Sequence, residues 1–118
     1  MCGIAGILMH KGYPDEQIIS LLARSLEHRG PDGSGQFTHK QTVVLHKRLS
    51  IIDLETGNQP IQNQDGSVII ANGEIYNYLE LRESLGKNNF QTNSDCEAPL
   101  LTYGLNGTAF TRDLRGMY

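Results

Sequence analysis

The strongest constraint on how this chain can fold lies at its N-terminus, where Cys2 directly follows Met1 and opens a short apolar run. Residues 3–9 are largely apolar, and the polar residues 10–12 end the run, which is the pattern of a buried β-strand. A strand that begins directly after Cys2 holds that residue far more firmly than a loose terminus does. The sequence therefore predicts a thiol fixed at the start of the first strand.

A cysteine in this position has the parts of a nucleophile with its own base. Because cysteine is small, an aminopeptidase could remove Met1 and leave Cys2 with both a thiol and a free α-amine. Part of an α-amine is unprotonated near neutral pH, so it can take the thiol proton and later return it to a leaving group. The alternative is that Cys2 is merely the second residue of a frayed terminus, and the tetrapeptide Met1 to Ile4 alone favours that alternative.

Composition and charge exclude several classes of protein. The chain has 118 residues, enough for one domain, with 38% hydrophobic and 19% charged residues, which is typical of a soluble globular protein. A net charge of −3 without a long Lys/Arg run argues against nucleic-acid binding. No apolar stretch approaches ~18 residues, and no signal peptide is visible, so we expect no membrane association.

The cysteines and histidines indicate the compartment and argue against a metal. Cys2 and Cys96 are the only cysteines, and two distant thiols without a signal peptide favour the cytoplasm over a disulfide scaffold. We expect Cys96 to be a buried structural thiol. The histidines are His10, His28, His39 and His46. Their spacing is not that of ligands, so no metal site is predicted.

Hydrophobic periodicity predicts an α+β fold. The predicted strands cover residues 3–9, 36–38, 42–47, 67–71, 90–91 and the start of a further strand at 116–118. The predicted helices cover residues 13–29, about 79–85, 94–103 and 109–114. Residues 30–35 are predicted to form a tight loop and residues 55–65 a surface loop. Ser94 and Glu97 match a capping box, and Gly104 is expected to end the helix that they open.

Several short motifs carry the functional information, and they occur in a fixed order along the chain. They are Cys2-Gly3-Ile4-Ala5-Gly6, His28-Arg29-Gly30-Pro31-Asp32-Gly33-Ser34-Gly35, Arg48-Leu49-Ser50-Ile51-Ile52-Asp53, Asn72-Gly73-Glu74-Ile75-Tyr76-Asn77 and Ser94-Asp95-Cys96-Glu97. Together they resemble the glutaminase domain of class II glutamine amidotransferases, which are N-terminal-nucleophile hydrolases. The second and third motifs resemble the glutamine-hydrolysing asparagine synthetase family in particular. The resemblance covers nearly the whole chain. It favours Cys2 as a nucleophile over Cys2 as part of a frayed terminus.

The resemblance implies which residues carry the reaction. Cys2 would be the nucleophile, and Asn72 with Gly73 would form the oxyanion hole. A hairpin turn is the alternative for Asn72-Gly73. Arg29 and Asp32 would shape the loop over the thiol.

Free glutamine is a zwitterion, so a specific site needs a cation and an anion. By resemblance, Arg48 binds the α-carboxylate and Asp95 binds the α-ammonium. The alternatives are a surface arginine and a helix N-cap. The remaining glutamine-binding residues that the resemblance implies are Leu49, Ser50, Ile51, Ile52, Asn72, Gly73 and Glu74. Pro99 lies about one turn into the predicted helix and could displace Asp95 slightly.

The resemblance also implies an architecture and a larger protein. The expected fold is a four-layer α/β/β/α sandwich of antiparallel sheets, with the Cys2 strand in the interior of a sheet. Residues 1–118 would be a glutaminase domain that is incomplete at its C-terminus, so we expect the isolated polypeptide to be poorly soluble or partly unfolded, with glutaminase activity at or near background. The implied reaction is hydrolysis of glutamine through a Cys2 thioester. A separate synthetase domain, not among these residues, would use the ammonia with ATP and Mg²⁺ to amidate aspartate, and no cofactor is expected here.

Two other functions stay open at this point. The chain could belong to an amidotransferase that aminates a different carboxylate. It could also be a non-catalytic fragment that keeps the fold, which retention of Met1 would favour.

Overall fold

Every paired strand of the chain runs antiparallel to its neighbour, and helices occur between the strands, which confirms the α+β class. A computed structural model describes residues 1–118. The strands are β1 (Gly3–Leu8), β2 (Gly33–His39), β3 (Thr42–Arg48), β4 (Ile61–Gln62), β5 (Val68–Ile69), β6 (Glu74–Ile75) and β7 (Gly116–Met117). The α-helices are α1 (Glu16–Ser25), α2 (Tyr78–Leu85) and α3 (Ala98–Asn106). Short 3₁₀ helices cover Glu27–Arg29, Lys87–Asn89, Asp95–Glu97 and Gly107–Asp113.

The chain divides into two compact units. Unit 1 comprises Met1–Ser50, Asn58–Pro60 and Ile70–Asn72. Unit 2 comprises Ile51–Gly57, Ile61–Ile69 and Gly73–Tyr118. None of the helices in either unit combines the length and the apolar character that crossing a membrane requires.

Unit 1 is built on a three-stranded sheet in the order β1-β3-β2. The strands predicted at residues 36–38 and 42–47 are confirmed and form a hairpin. Its turn lies at Lys40 and Gln41, with Lys40 at φ 51°. β2 begins at Gly33, which is earlier than the predicted start at residue 36, because the glycines of the predicted loop pair with the end of β3. Only glycine fits at residue 35, because a Cβ there would lie 1.8 Å from the carbonyl oxygen of Gln59.

The core of unit 1 forms where α1 covers one face of this sheet. Val43 and Leu45 of β3 and Ile19 of α1 are buried together. These β3 residues are two apart, so they share a face of the sheet. α1 begins where the Asp15 carboxylate accepts hydrogen bonds from the backbone N–H groups of Gln17 (2.7 Å) and Ile18 (3.4 Å). A helix is thus confirmed within the predicted range 13–29, but α1 is shorter than predicted and has Asp15 as its N-cap.

The expectation that the Cys2 strand lies inside a sheet is wrong for the described chain. β1 pairs with β3 on one side, and no other strand pairs with its second edge. The strand is consequently half-buried rather than fully buried, with Ile4 and Leu8 exposed. As predicted, Cys2 lies directly before the first residue of the strand that pairs.

Unit 2 contains two small antiparallel sheets and two α-helices. β4 pairs with β5, and β6 pairs with β7, which confirms the strand predicted at Gly116. α2 ends at Gly86, whose φ of 85° is a conformation that glycine adopts readily, as predicted. α3 continues past Gly104 and ends at Gly107 (φ 54°), so the predicted end was wrong by about one turn.

Two predictions in unit 2 fail because groups outside the predicted segment decide the local structure. The predicted surface loop contains β4, whose Ile61 is buried. Residues 90–91 form no strand, because the backbone N–H of Gln91 donates to the Glu97 carboxylate at 2.7 Å instead of joining a ladder. The Phe90 ring lies under the guanidinium of Arg82, 4.3 Å from its centroid.

Only half of the predicted capping box forms. Ser94 caps as predicted, since its Oγ accepts from the N–H of Cys96 at 3.2 Å. Glu97 does not reach back to Ser94, because its buried carboxylate accepts from the N–H groups of Gln91 and Thr92 instead. Pro99 is accommodated in the first turn of α3, where a missing N–H costs little.

Candidate active site

The thiol of Cys2 lies just before β1 and is held by one residue of the chain. Its Sγ accepts a hydrogen bond from the N–H of Leu49 at 3.3 Å and donates to the carbonyl oxygen of Leu49 at 3.6 Å. The Arg29 Nε donates to the carbonyl oxygen of Cys2 at 3.0 Å. Cys2 is half-buried, so it is reachable and yet fixed, as the sequence predicted.

The loop of the second motif is tied to the segment that follows β3. The Asp32 N–H donates to the carbonyl oxygen of Arg48 at 3.0 Å, and the Asp32 carboxylate accepts from the N–H of Ser50 at 2.8 Å. A Cβ on Gly30 would lie 2.3 Å from the backbone carbonyl of Lys47, so the loop approaches β3 only because this residue is glycine. Asp32 therefore holds the residues on either side of Leu49 while Arg29 holds the backbone of Cys2, so both shape this loop, in agreement with the sequence.

Arg48 is the last residue of β3 and is only 6% exposed, which contradicts the surface-arginine alternative. Its Nη1 donates to the Oδ1 of Asn58 at 2.9 Å. Antiparallel pairing of Gly3 with Lys47 continues by one residue to place Arg48 beside Cys2 in the sheet register. A cation is thus anchored next to the thiol within unit 1.

Asn72 and Gly73 do not form the hairpin turn that was their alternative. β5, which precedes them, pairs with β4, whereas β6, which follows them, pairs with β7. A Cβ on Gly73 would lie 2.3 Å from the carbonyl oxygen of Met117, so a glycine is needed there for close approach. Asn72 is half-buried and belongs to unit 1, whereas Gly73 and Glu74 belong to unit 2.

Asp95 is buried in unit 2, with 4% of its surface exposed. Its Oδ2 accepts from the N–H of Ile75 at 2.7 Å. Ser94, not Asp95, caps the helical turn that follows, so the N-cap alternative for Asp95 is wrong and its carboxylate is available to another partner. Cys96 is buried with its Sγ 3.9 Å from the carbonyl oxygen of Gly73, as expected of a structural thiol.

The remaining predicted glutamine-binding residues follow β3 without regular structure. They are Leu49, Ser50, Ile51 and Ile52. Leu49 contacts Cys2 through its backbone, while Ile51 is 66% exposed. No group of three or more His, Cys, Asp and Glu side chains is arranged to hold a metal ion.

Comparison with known proteins settles the family. The model of the glutamine amidotransferase domain family matches residues 1–118. This chain belongs to that family. The chain is 46% identical over 124 residues to a probable glutamine-hydrolysing asparagine synthetase of Schizosaccharomyces pombe. The match includes all of this chain and 22% of the relative. Asparagine synthetases of Zea mays (42% identical, 21% of the relative covered) and Bacillus subtilis (40%, 16%) are also matched by the whole chain. The chain spans about a fifth of the length of these relatives.

One buried residue of this glutamine amidotransferase domain escaped the sequence analysis. His46 is 1% exposed, and neither ring nitrogen makes a hydrogen bond of ordinary geometry. Burial lowers the pKa of His46, the backbone of Ala71 raises it less strongly, and the Arg48 charge lowers it further. Because His46 and Arg48 are two residues apart in β3, they point to the same face of the sheet. The signal in the sequence is the position of His46 directly after the apolar run Val43-Val44-Leu45, inside a predicted strand.

Proposed function

We propose that this chain hydrolyses glutamine to glutamate and ammonia and that it is the glutaminase part of an asparagine synthetase. The observation that carries the proposal is the Cys2 thiol, held by the Leu49 backbone at the start of β1, in a chain of the glutamine amidotransferase domain family. The names of the relatives support glutamine as the nitrogen donor. We also propose the N-terminal-nucleophile hydrolase sandwich as the fold, which the α+β class and antiparallel sheets support.

The reaction proceeds by two acyl transfers. With Met1 removed, the α-amine of Cys2 takes the thiol proton, and the thiolate sulfur bonds to the side-chain amide carbon of glutamine. The C–N bond breaks, and ammonia leaves with the proton that the amine returns, so that a γ-glutamyl thioester forms. Water then attacks the thioester carbon, releases glutamate and regenerates the thiol. The Leu49 backbone keeps the sulfur in place through both steps.

Asn72 and Gly73 stabilise the negative charge that develops on the amide oxygen. A side-chain amide and a backbone N–H are suitable donors, and one such donor typically contributes ~2.7–4 kcal/mol to the transition state. The close contact of Gly73 with the Met117 backbone supports the assignment, because it fixes the direction of this peptide.

Arg48 and Asp95 select glutamine by binding the two ends of its zwitterion. Arg48 binds the α-carboxylate, since its guanidinium is buried, is anchored by Asn58 and has the planar shape that binds a carboxylate bidentately. Asp95 binds the α-ammonium through the carboxylate oxygen that Ile75 does not use. We also propose that glutamine contacts Leu49, Ser50, Ile51, Ile52 and Glu74.

In the whole protein, the ammonia is consumed by a synthetase domain that amidates aspartate to asparagine in the cytoplasm. That step uses ATP and Mg²⁺, which supply the activation of the carboxylate. The length of the relatives, of which this chain covers about a fifth, supports the presence of such a domain.

The test is the variant Cys2→Ala, assayed in the full encoded protein. We expect glutamine hydrolysis to vanish while asparagine synthesis from free ammonia continues. Cys96→Ala, which removes the other thiol, is the matched control and should retain hydrolysis. Undiminished hydrolysis in Cys2→Ala would remove this residue from the mechanism, and an intact mass that includes Met1 in active protein would exclude the α-amine as the base.

A further inference from the structure

Asp53 makes an unusual set of contacts for a residue in a surface turn of unit 2. Its backbone is in the left-handed region with φ 53°, which few non-glycine residues adopt. Its Oδ1 accepts from the N–H of Thr56 at 2.9 Å, and its Oδ2 accepts from the Thr56 hydroxyl. The same Oδ2 accepts from the N–H of Asn93 at 2.8 Å, 40 residues away in sequence. One carboxylate therefore closes its own turn and ties that turn to a distant segment.

We infer that Asp53 is a positioning residue for the glutamine site, which fixes Asp95 through the backbone of Asn93. This inference rests on the proposed function, because Asp95 is the proposed partner of the α-ammonium. Asp53 directly follows Ile51 and Ile52, which are also proposed to contact glutamine. Its carboxylate thus holds together two segments that each carry proposed substrate contacts.

The path from Asn93 to Asp95 is short and stiff. Two residues can span at most about 7 Å, so a shift of Asn93 is passed on to Asp95 with little slack. Ser94, which lies between them, is itself fixed because its Oγ caps the N–H of Cys96 at 3.2 Å. The N–H of Ile75 holds the Asp95 carboxylate from the other side at 2.7 Å. Asn93 forms the other end of this arrangement, where its N–H donates to the Asp53 carboxylate and, at 3.3 Å, to the Thr56 hydroxyl.

A carboxylate suits this position because it accepts all three of the hydrogen bonds from the Thr56 N–H, the Thr56 hydroxyl and the Asn93 N–H. An asparagine at residue 53 has a single acceptor oxygen, so its NH₂ group would face one of the donors of Thr56 or Asn93. Asparagine nevertheless tolerates the left-handed backbone, so Asp53→Asn keeps the turn accessible while it removes a tie. Asp53→Gly, which also allows positive φ, is a second variant should the first fold poorly.

The experiment measures binding without turnover, in the full encoded protein with Cys2→Ala as the background. The probes are glutamine and glutaramate, which is glutamine without its α-amine. Calorimetry gives the dissociation constant for each, with competition against glutamine for the weaker probe. The matched control is Asp65→Asn, because the Asp65 carboxylate also closes a turn by accepting from a backbone N–H, that of Ser67 at 2.8 Å, without a tie to Asn93.

We expect Asp53→Asn to weaken glutamine binding about threefold to tenfold, the range for one net hydrogen bond, and to change glutaramate binding less than about twofold. Asp65→Asn should change neither. The inference is overturned if Asp53→Asn weakens both probes equally, if it alters only the melting temperature, or if Asp65→Asn has the same effect. Failure of the proposed function looks different, because the background protein would then bind neither probe and both proposals would fall.

Discussion

Arg48→Ala should weaken glutamine use much more than it destabilises the protein. The structure separates the two effects, because the buried Arg48 donates to Asn58, which is itself exposed. After the substitution, the Asn58 oxygen can bond to water instead. Loss of this hydrogen bond therefore lowers the stability by only about 0.5–1.5 kcal/mol.

The effect on substrate is larger because a charge-assisted contact is lost. A hydrogen bond to a charged group contributes about 1.5–3 kcal/mol. Since 1.4 kcal/mol is a factor of ten, the KM for glutamine should rise about tenfold to about 150-fold. Arg48→Lys should fall between, because an ammonium cannot bind a carboxylate bidentately.

The assay is steady-state glutamate production over a range of glutamine concentrations, with thermal melting of each variant by circular dichroism. Asn58→Ala is the control, because it breaks the same hydrogen bond and keeps the guanidinium. If Asn58→Ala raises KM as much as Arg48→Ala does, or if Arg48→Ala lowers the melting temperature with KM unchanged, then Arg48 is a structural residue and the proposed carboxylate contact is wrong.

Two further predictions concern the sheet that carries the thiol. Gly35→Ala should destabilise the protein by about 1–3 kcal/mol, because its Cβ would lie 1.8 Å from the Gln59 carbonyl oxygen. The control Gly6→Ala, whose Cβ has its nearest neighbour at 3.6 Å, should melt close to wild type, and equal melting temperatures of the two variants would refute the close approach. The second uses the lowered pKa of His46: the unfolded chain, with the ordinary value of 6.5, binds the proton more readily, so the free energy of unfolding should fall as the pH drops below 6.5. Melting curves between about pH 5 and about pH 8 should show this fall, and a His46→Leu variant with the same pH dependence would contradict the assignment.

The parts of the fold that the sequence predicted are those where the signal is local. α1 and α2 follow from apolar spacing and from Asp15 and Gly86 at their ends. The failures are those where a group outside the predicted segment decides the local structure. Glu97 satisfies the capping pattern on paper, yet it serves the N–H groups of Gln91 and Thr92, and that same contact removes the strand predicted at residues 90–91. No local pattern could have indicated which of the two uses would prevail.

In the candidate site, too, local signals predict only a part of the structure. The motifs identified its residues but not the contacts that fix them. The predicted roles of Asn72, Gly73 and Asp95 stay predictions, whereas the contacts of Cys2 depend on register. Gly3 pairs with Lys47, so Cys2 comes beside the end of β3 and the chain reaches Leu49 next to the thiol. A slip of one residue would turn every β3 side chain to the opposite face.

That register is fixed on the other face of the sheet. Val43 and Leu45 are buried against Ile19 of α1, and a slip would exchange them for His46 and its neighbours in the core. The apolar contacts with α1 thus determine that Arg48 ends β3 on the thiol side and that Leu49 meets Cys2. The position of the nucleophile is therefore a consequence of core packing that contains none of the proposed catalytic residues. Substitutions in this core that preserve volume should leave the Cys2–Leu49 contacts intact, whereas those that shift the register should remove the nucleophile from its partners without touching any motif.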